Sequence, residues 1–345
     1  MLGRSHPLRM RSLRLPLLLG LGLALATPAC FLPHTYQKTV EPTDEQKLEL
    51  YTTTATYLYE DDELDRAQEQ AVKALAIEPK NFPMRRMVGW IRLRKATHED
   101  LILAERFFRD LVADDDQNEN TVLGLAITCE RLGKAYDDVA RAIQSGEREP
   151  PQGEEGEIAA QELSTKARRY WGEAIKLCEG VLATGEGNTN AMNALQRVLA
   201  LNGDYEKSLE WSQRLLDRTS AELASWRTML QEKDLRESEE KLFRKNERAA
   251  LDLQRDTHVF AATLLFRLQR YDEALAHLDF LVTASPGLAQ AYSLRGQVRA
   301  RVGQYEGAVQ DLDRYLALSD APFEHPDVRR AFELRAEAQK HIDGH

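Results

Sequence analysis

Two stretches near the C-terminus decide the fold: Arg270-Tyr271-Asp272-Glu273-Ala274-Leu275, followed by Leu278, Leu281 and Pro286, and Gln304-Tyr305-Glu306-Gly307-Ala308-Val309, followed by Leu312, Tyr315 and Leu316. They carry the same punctuation 34 residues apart. A fixed period of this length marks a solenoid in which each unit is one supersecondary element. No unit buries its apolar face alone, so neighbours must stack. Function is then expected on an extended surface, not in a catalytic pocket.

The register extends outward from this pair. Residues 289–322 carry Tyr292, Gly296, Gly303, Tyr305, Ala308, Leu312 and Leu316. Residues 255–288 carry Tyr271, Ala274, Leu278, Leu281 and Pro286, and residues 189–222 carry Leu195, Gly203, Asp204, Tyr205, Leu215 and Leu216, with Ser208 at the alanine position. Residues 48–81 carry Tyr51, Ala55, Leu64, Ala67, Ala71, Ala74 and Pro79; residues 82–118 carry Gly89, Ala104, Phe108 and Leu111. Ala, Leu, Glu, Arg and Gln dominate the chain, and all are good helix formers.

Two units are irregular. In the third, helix A is expected at Asn120–Leu132, with Leu125, Ala126 and Gly133 in register, and helix B at Arg168–Leu182. Between them the Pro150-Pro151 pair, the glycines and the acidic neighbours predict an exposed acidic loop insertion at about 144–160. The fifth unit, about 223–254, keeps Trp226, Met229 and Leu230 but is otherwise charged; it reads as a degenerate repeat or an extended solvated helix pair. Residues 323–345 read as a capping helix and tail.

These motifs resemble the tetratricopeptide repeat (TPR) family, whose unit has a small residue in helix A and a Gly-x-Tyr-x-x-Ala segment opening helix B. The alanine-equivalent positions here are 67, 104, 174, 208, about 242, 274 and 308. The resemblance covers most of 48–322. It implies an all-α, TPR-type helix-turn-helix solenoid with a right-handed superhelix of about six to seven repeats over 47–322. It also implies that the A helices line a concave groove. Mapped onto this chain, the outward groove positions are Arg86, Trp90, Arg94, Arg131, Asn193, Arg197, Arg227, Arg267 and Arg301. An arginine row suits carboxylate-bearing or extended peptides, because guanidinium binds carboxylate bidentately. A basic residue before the inter-helix turn also complements the helix dipole, which is the competing reading of the same row. Phe107, Phe108, Trp171, Trp211 and Trp226 fall at helical spacing and read as inter-repeat core.

The N-terminus speaks to compartment. Residues 1–29 carry Arg4, Arg9, Arg11 and Arg14 and no acidic residue, then an apolar run from Leu15 to Ala26 and Thr27-Pro28-Ala29-Cys30. Basic start, short apolar core and small residues make a secretory signal peptide. Cys30 after a small residue resembles a bacterial lipoprotein box, in which the thiol is acylated; the alternative is ordinary cleavage with Cys30 merely nearby. Residues 30–46 read as a flexible tether. The expectation is an outer-membrane lipoprotein facing the periplasm, or else a soluble periplasmic protein.

The net charge of −10, from 46 basic and 56 acidic residues, argues against a nucleic-acid partner. Cys129 and Cys178 are either two buried small hydrophobes or a disulfide that an oxidising compartment permits. No GxSxG, HExxH or phosphate-binding glycine loop occurs, so no enzyme, cofactor, metal site or small-molecule substrate is expected. His341, Asp343 and His345 lie in a tail where ligands are rarely held. The expected partner is a protein, offering an extended peptide or helix of an envelope protein, with the membrane reached through the N-terminal lipid. The expected role is a scaffold assisting an envelope complex of the pilus, secretin or outer-membrane assembly type. The alternative is a soluble accessory subunit of a peptidoglycan- or polysaccharide-export enzyme complex.

Overall fold

The computed structural model describes residues 41–114, 118–153, 155–185, 187–232 and 234–344. The signal peptide, most of the tether, Cys30 and His345 lie outside the described residues. The described residues form thirteen α-helices and no strand. Six antiparallel pairs follow one another: α1 (Asp44–Glu60) with α2 (Leu64–Ile77), α3 (Phe82–Lys95) with α4 (His98–Ala113), α5 (Glu119–Gln144) with α6 (Gly156–Thr184), α7 (Thr189–Asn202) with α8 (Tyr205–Met229), α9 (Glu237–Arg267) with α10 (Tyr271–Ala284), and α11 (Ala289–Arg301) with α12 (Tyr305–Leu318). Helix α13 (Pro326–Asp343) packs on α12 and touches α11, which makes it an unpaired seventh A-type helix.

Local chemistry sets the helix starts. Thr43, Asn81, Thr97, Asn118 and Asn188 each accept a backbone N–H of the first turn, and Thr43 with Gln46 forms a reciprocal capping box. Most A-to-B turns pass through the left-handed region, at Asp62, Ala96, Gly203, Gln269 and Gly303. Glycine adopts that conformation without strain; the other three carry a Cβ penalty of about 1 kcal/mol each.

The stack is held by large B-helix side chains entering slots beside small A-helix residues. The fully buried Phe108 of α4 lies between Gly89 of α3 and Gly124 of α5. A Cβ on Gly124 would come within 2.4 Å of its ring, and one on Gly89 within 2.9 Å. Gly296 stands in the same relation to Leu312. At the fourth pair, Ser208 replaces the usual alanine. Its buried hydroxyl donates to the Gln196 carbonyl at 2.6 Å, so the substitution leaves no orphaned polar group.

Two departures from the sequence expectation shape the molecule. Gly133, in Arg131-Leu132-Gly133-Lys134-Ala135-Tyr136, has the look of a turn glycine, yet α5 runs straight through it to Gln144. Gly133 is small for another reason: a Cβ there would meet Trp171 at 2.4 Å. The expected loop at 144–160 is therefore helical from Gly156 onward, and α5 and α6 extend past the array as a hairpin with its own core of Ala140, Ile143, Ala159 and Ala160. The second departure concerns 223–254. This segment is the end of α8 and the start of α9, not a separate helix pair, so the described repeats number six and position 242 opens no unit. Of the two readings offered by the sequence, the extended charged helix pair matches. Its half-buried Trp226 and Phe243 rings face each other with centroids 5.8 Å apart.

Antiparallel connectivity puts A-to-B turns on one edge of the stack and B-to-A turns on the other. The α5/α6 and α8/α9 projections therefore leave from opposite edges. Each adds about a dozen residues per helix, or roughly 18 Å at 1.5 Å per residue. Phe108→Ala should lower unfolding free energy by about 3–5 kcal/mol, as expected for emptying a buried aromatic site. Gly124→Val should destabilise comparably by overfilling the same slot; chemical denaturation followed by circular dichroism checks both.

Candidate functional site

The A helices α1, α3, α5, α7, α9 and α11, continued by α13, form one face with cavities between them. Three cavities hold the residues of interest. The first, of about 400 Å³, is lined by Tyr59, Trp90, Asn120, Leu123, Ile127, Asn190, Asn193 and Arg197. Three of the groove residues expected from sequence, Trp90, Asn193 and Arg197, converge there. Trp90 also packs edge-on against Phe108 at 5.7 Å, so the inter-repeat core holds its ring in place.

The second cavity, of about 270 Å³, lies between α5, α7 and α9. Leu201, Tyr205, Phe260 and Leu264 supply apolar walls, with Glu130, Lys134, Arg197 and Arg267 around them. It occupies a seam. One large apolar core runs from Leu93 to Leu215, and a separate one begins at Ala262. Helices α3 and α5, α5 and α7, α9 and α11, and α11 and α13 touch directly, whereas α7 and α9 barely do. The long α8/α9 hairpin intervenes at this step, and the gap it leaves is the cavity.

The third cavity, of about 280 Å³, is closed by the capping helix. Its walls include Phe266, Gln297, Arg301, Tyr305, Arg330, Glu337 and His341. The His341 ring stacks on Tyr305 at 4.4 Å. Among the described residues no three His, Cys, Asp or Glu side chains cluster in a way that would hold a metal.

The arginine row divides in two. Arg94 donates to the Tyr59 carbonyl at 3.1 Å and pairs with Asp62 at 2.5 Å. Arg131 donates to the Leu93 carbonyl at 2.7 Å. Arg197 grips the buried Glu130 with two bonds, of 2.8 and 2.7 Å. These three bind neighbouring repeats together. Arg267 and Arg301 are exposed and make no ion pair or side-chain hydrogen bond among the described residues. Neither does Arg330, which sequence reasoning missed because it sits on the cap and not in a repeat. Arg86 is half-buried on α3. Arg227 is misassigned as a groove residue: it lies on the prolonged α8, a B helix, and binds Glu247 of α9 at 3.1 Å. The sequence register failed there because no A helix begins near 223.

Cys129 and Cys178 share the large core as buried free thiols, not as a disulfide. Burial raises both thiols, Cys178 to about 12, so neither is a nucleophile at neutral pH. Phe108 and Trp171 are core residues as the helical spacing implies.

Outside the groove, His258 of α9 and His277 of α10 approach with Nδ1 atoms 2.8 Å apart, and Phe280 stacks on His258. Burial, then the neighbouring imidazole, lowers His258 to about 4; burial also lowers His277, opposed by Glu273.

Stacked helix pairs of this construction define an all-α helical-repeat solenoid. Residues 263–336 match the family model described as tetratricopeptide repeat, and the chain is a tetratricopeptide-repeat protein. The peptidyl-prolyl cis-trans isomerase FKBP42 of Arabidopsis thaliana is 31% identical over 99 residues, which are 29% of this chain and 26% of that protein. The chain thus spans about a quarter of the length of the curated relative it matches. Among solved structures, a thermophilic TPR protein of Thermus thermophilus aligns at 14% identity and a TM-score of 0.44, covering 74% of this chain and 98% of that one. The TPR2AB-domain:pHSP90 complex of yeast Sti1 aligns at 13% identity and a TM-score of 0.32, covering 85% and 98%. A TPR array is a scaffold for protein–protein interaction: adjacent repeats build an extended concave surface.

Two predictions separate structural from available groups. Arg197→Ala should lower stability by about 2 kcal/mol by stranding buried Glu130, while Arg267→Ala should change it by less than about 0.5 kcal/mol; denaturant titration of both variants reads the contrast. For the histidine pair, the unfolded imidazoles titrate near 6.5 and the folded ones lower, so the unfolded chain binds more protons in between. Stability should be fully present above about pH 6.5 and fall as pH drops toward 4. The His258→Gln, His277→Gln double variant should flatten that decline between about pH 6.5 and 5, as read by denaturant titration at each pH.

Proposed function

We propose that this chain is a non-catalytic interaction scaffold, anchored to a membrane by acylation of Cys30, that docks a segment of a cell-envelope protein in its concave groove. By holding that segment at the membrane it assists assembly or organisation of an envelope complex, of the pilus, secretin or outer-membrane assembly kind. The observation that carries the docking reading is the groove itself: contiguous cavities along the A helices, with Arg267 and Arg301 exposed and unengaged among the described residues while Arg131 and Arg197 hold the fold. The anchor rests on the sequence alone, on the basic and apolar leader ending in Ala29-Cys30. The surplus of acidic residues disfavours electrostatic attachment to anionic lipid, which makes a covalent anchor the more effective device.

Crosslinking in cells, followed by affinity isolation from envelopes and mass spectrometry, tests the assignment. A reproducible envelope partner that is lost in Arg267→Glu, Arg301→Glu is the expected result. Absence of any enriched envelope protein would overturn the assembly role. Separately, Cys30→Ala should move the protein from the membrane to the soluble fraction, and unchanged partitioning would remove the anchor.

A further inference from the structure

The two cavities at the C-terminal half of the groove differ in chemistry, and their order along the groove specifies a ligand. The seam cavity between α7 and α9 is walled by Leu201, Tyr205, Phe260 and Leu264. Its internal charges, Arg197 and Glu130, neutralise each other through two hydrogen bonds. What remains is an apolar recess of side-chain size, with Arg267 at its rim. The cap cavity between α11 and α13 carries Arg301 and Arg330 against a single carboxylate, Glu337, with the polar groups of Gln297, Tyr305 and His341. Exposed arginines without partners among the described residues, in a chain of net charge −10, leave a local positive field, and they demand a counter-charge from outside.

Both cavities touch α9, through the adjacent residues Phe266 and Arg267, so they are consecutive stations along one groove. They are two A-helix steps apart. At 8–10 Å per packed helix this is about 16–20 Å, which an extended chain at roughly 3.3 Å per residue spans in five or six residues.

We infer that the groove recognises an extended peptide segment bearing a large apolar side chain and, five or six residues away, one or more carboxylates: the apolar side chain fills the seam cavity and the carboxylates are bound by Arg301 and Arg330. Arg267 lies between the stations and serves an acidic residue in the intervening stretch. This rests on the docking reading above and sharpens it to a ligand composition. The N-terminal arginines take no part, because Arg94, Arg131 and Arg197 are already satisfied within the fold.

The test is fluorescence anisotropy of dye-labelled twelve-residue peptides with the residue 41–345 protein. The set holds a Leu or Phe six residues from a Glu pair, the same peptide with the spacing cut to two, Glu→Gln and Phe→Ser versions, a peptide whose only carboxylate is its C-terminus, and its amide. The spaced apolar–acidic peptides should bind at least tenfold more tightly than the Gln, Ser and short-spaced versions. Arg301→Glu with Arg330→Glu should abolish that preference and restore binding to a Lys-for-Glu peptide; Phe260→Ser should weaken only peptides that carry the apolar residue. Arg94→Glu is the control and should leave affinity within twofold. Circular dichroism melts confirm that each variant is folded. The free-terminus and amide peptides decide whether a terminal or a side-chain carboxylate is read. Equal binding of Glu and Gln peptides, or of short and long spacings, would overturn the composition while leaving groove docking intact. No peptide bound, together with an envelope partner whose capture survives the Arg267→Glu, Arg301→Glu variant, would overturn both.

Discussion

The close crossing of helices at small residues is the constraint on which the rest of this molecule depends. Phe108 enters a slot bounded by Gly89 and Gly124, which lie on successive A helices, so one side chain joins two repeats. Leu312 against Gly296 does the same within the last pair. Because side chains fill slots at native packing density, a single methyl group in the wrong place has nowhere to go. That rigidity fixes the A helices side by side and leaves a groove along them whose lining is free to vary.

Polar contacts then decide which groove residues belong to the scaffold. Arg197 on Glu130, Arg131 on the Leu93 carbonyl and Arg94 on Asp62 connect each A helix to an earlier repeat. At the C-terminal end the equivalent joint is made elsewhere: Arg295 and Arg299 converge on the buried Asp311. That network stabilises the last repeats without using Arg301, which leaves its guanidinium available. The long α8/α9 hairpin parts α7 from α9 and divides the apolar core, so the chain's principal irregularity and its most apolar recess arise from one cause.

Much of the fold was legible because the 34-residue spacing of Tyr271 and Tyr305, Ala274 and Ala308 reports helix geometry directly. The convergence of Trp90, Asn193 and Arg197 was legible for the same reason, as all three occupy groove positions of regular repeats. Where register broke, the sequence misled. Gly133 mimics a turn glycine, because a residue made small by Trp171 and one made small by a left-handed turn look alike in one dimension. Arg227 was placed in the groove by counting 34-residue steps through a stretch that holds no A helix. Which arginines are free could not be read at all, since their partners, such as Glu130 for Arg197, lie 67 positions away in sequence.

The central claim is that partners are held on the A-helix face at the seam between α7 and α9. Site-specific photocrosslinking tests it most directly. A photoreactive residue would replace Thr263 in the seam, Glu69 on the outer helix α2, or Lys241 on the projecting hairpin, with crosslinking carried out in intact cells. The account predicts a discrete partner adduct from position 263 and none from positions 69 or 241. Adducts from the outer helix or the hairpin, with position 263 silent, would contradict it.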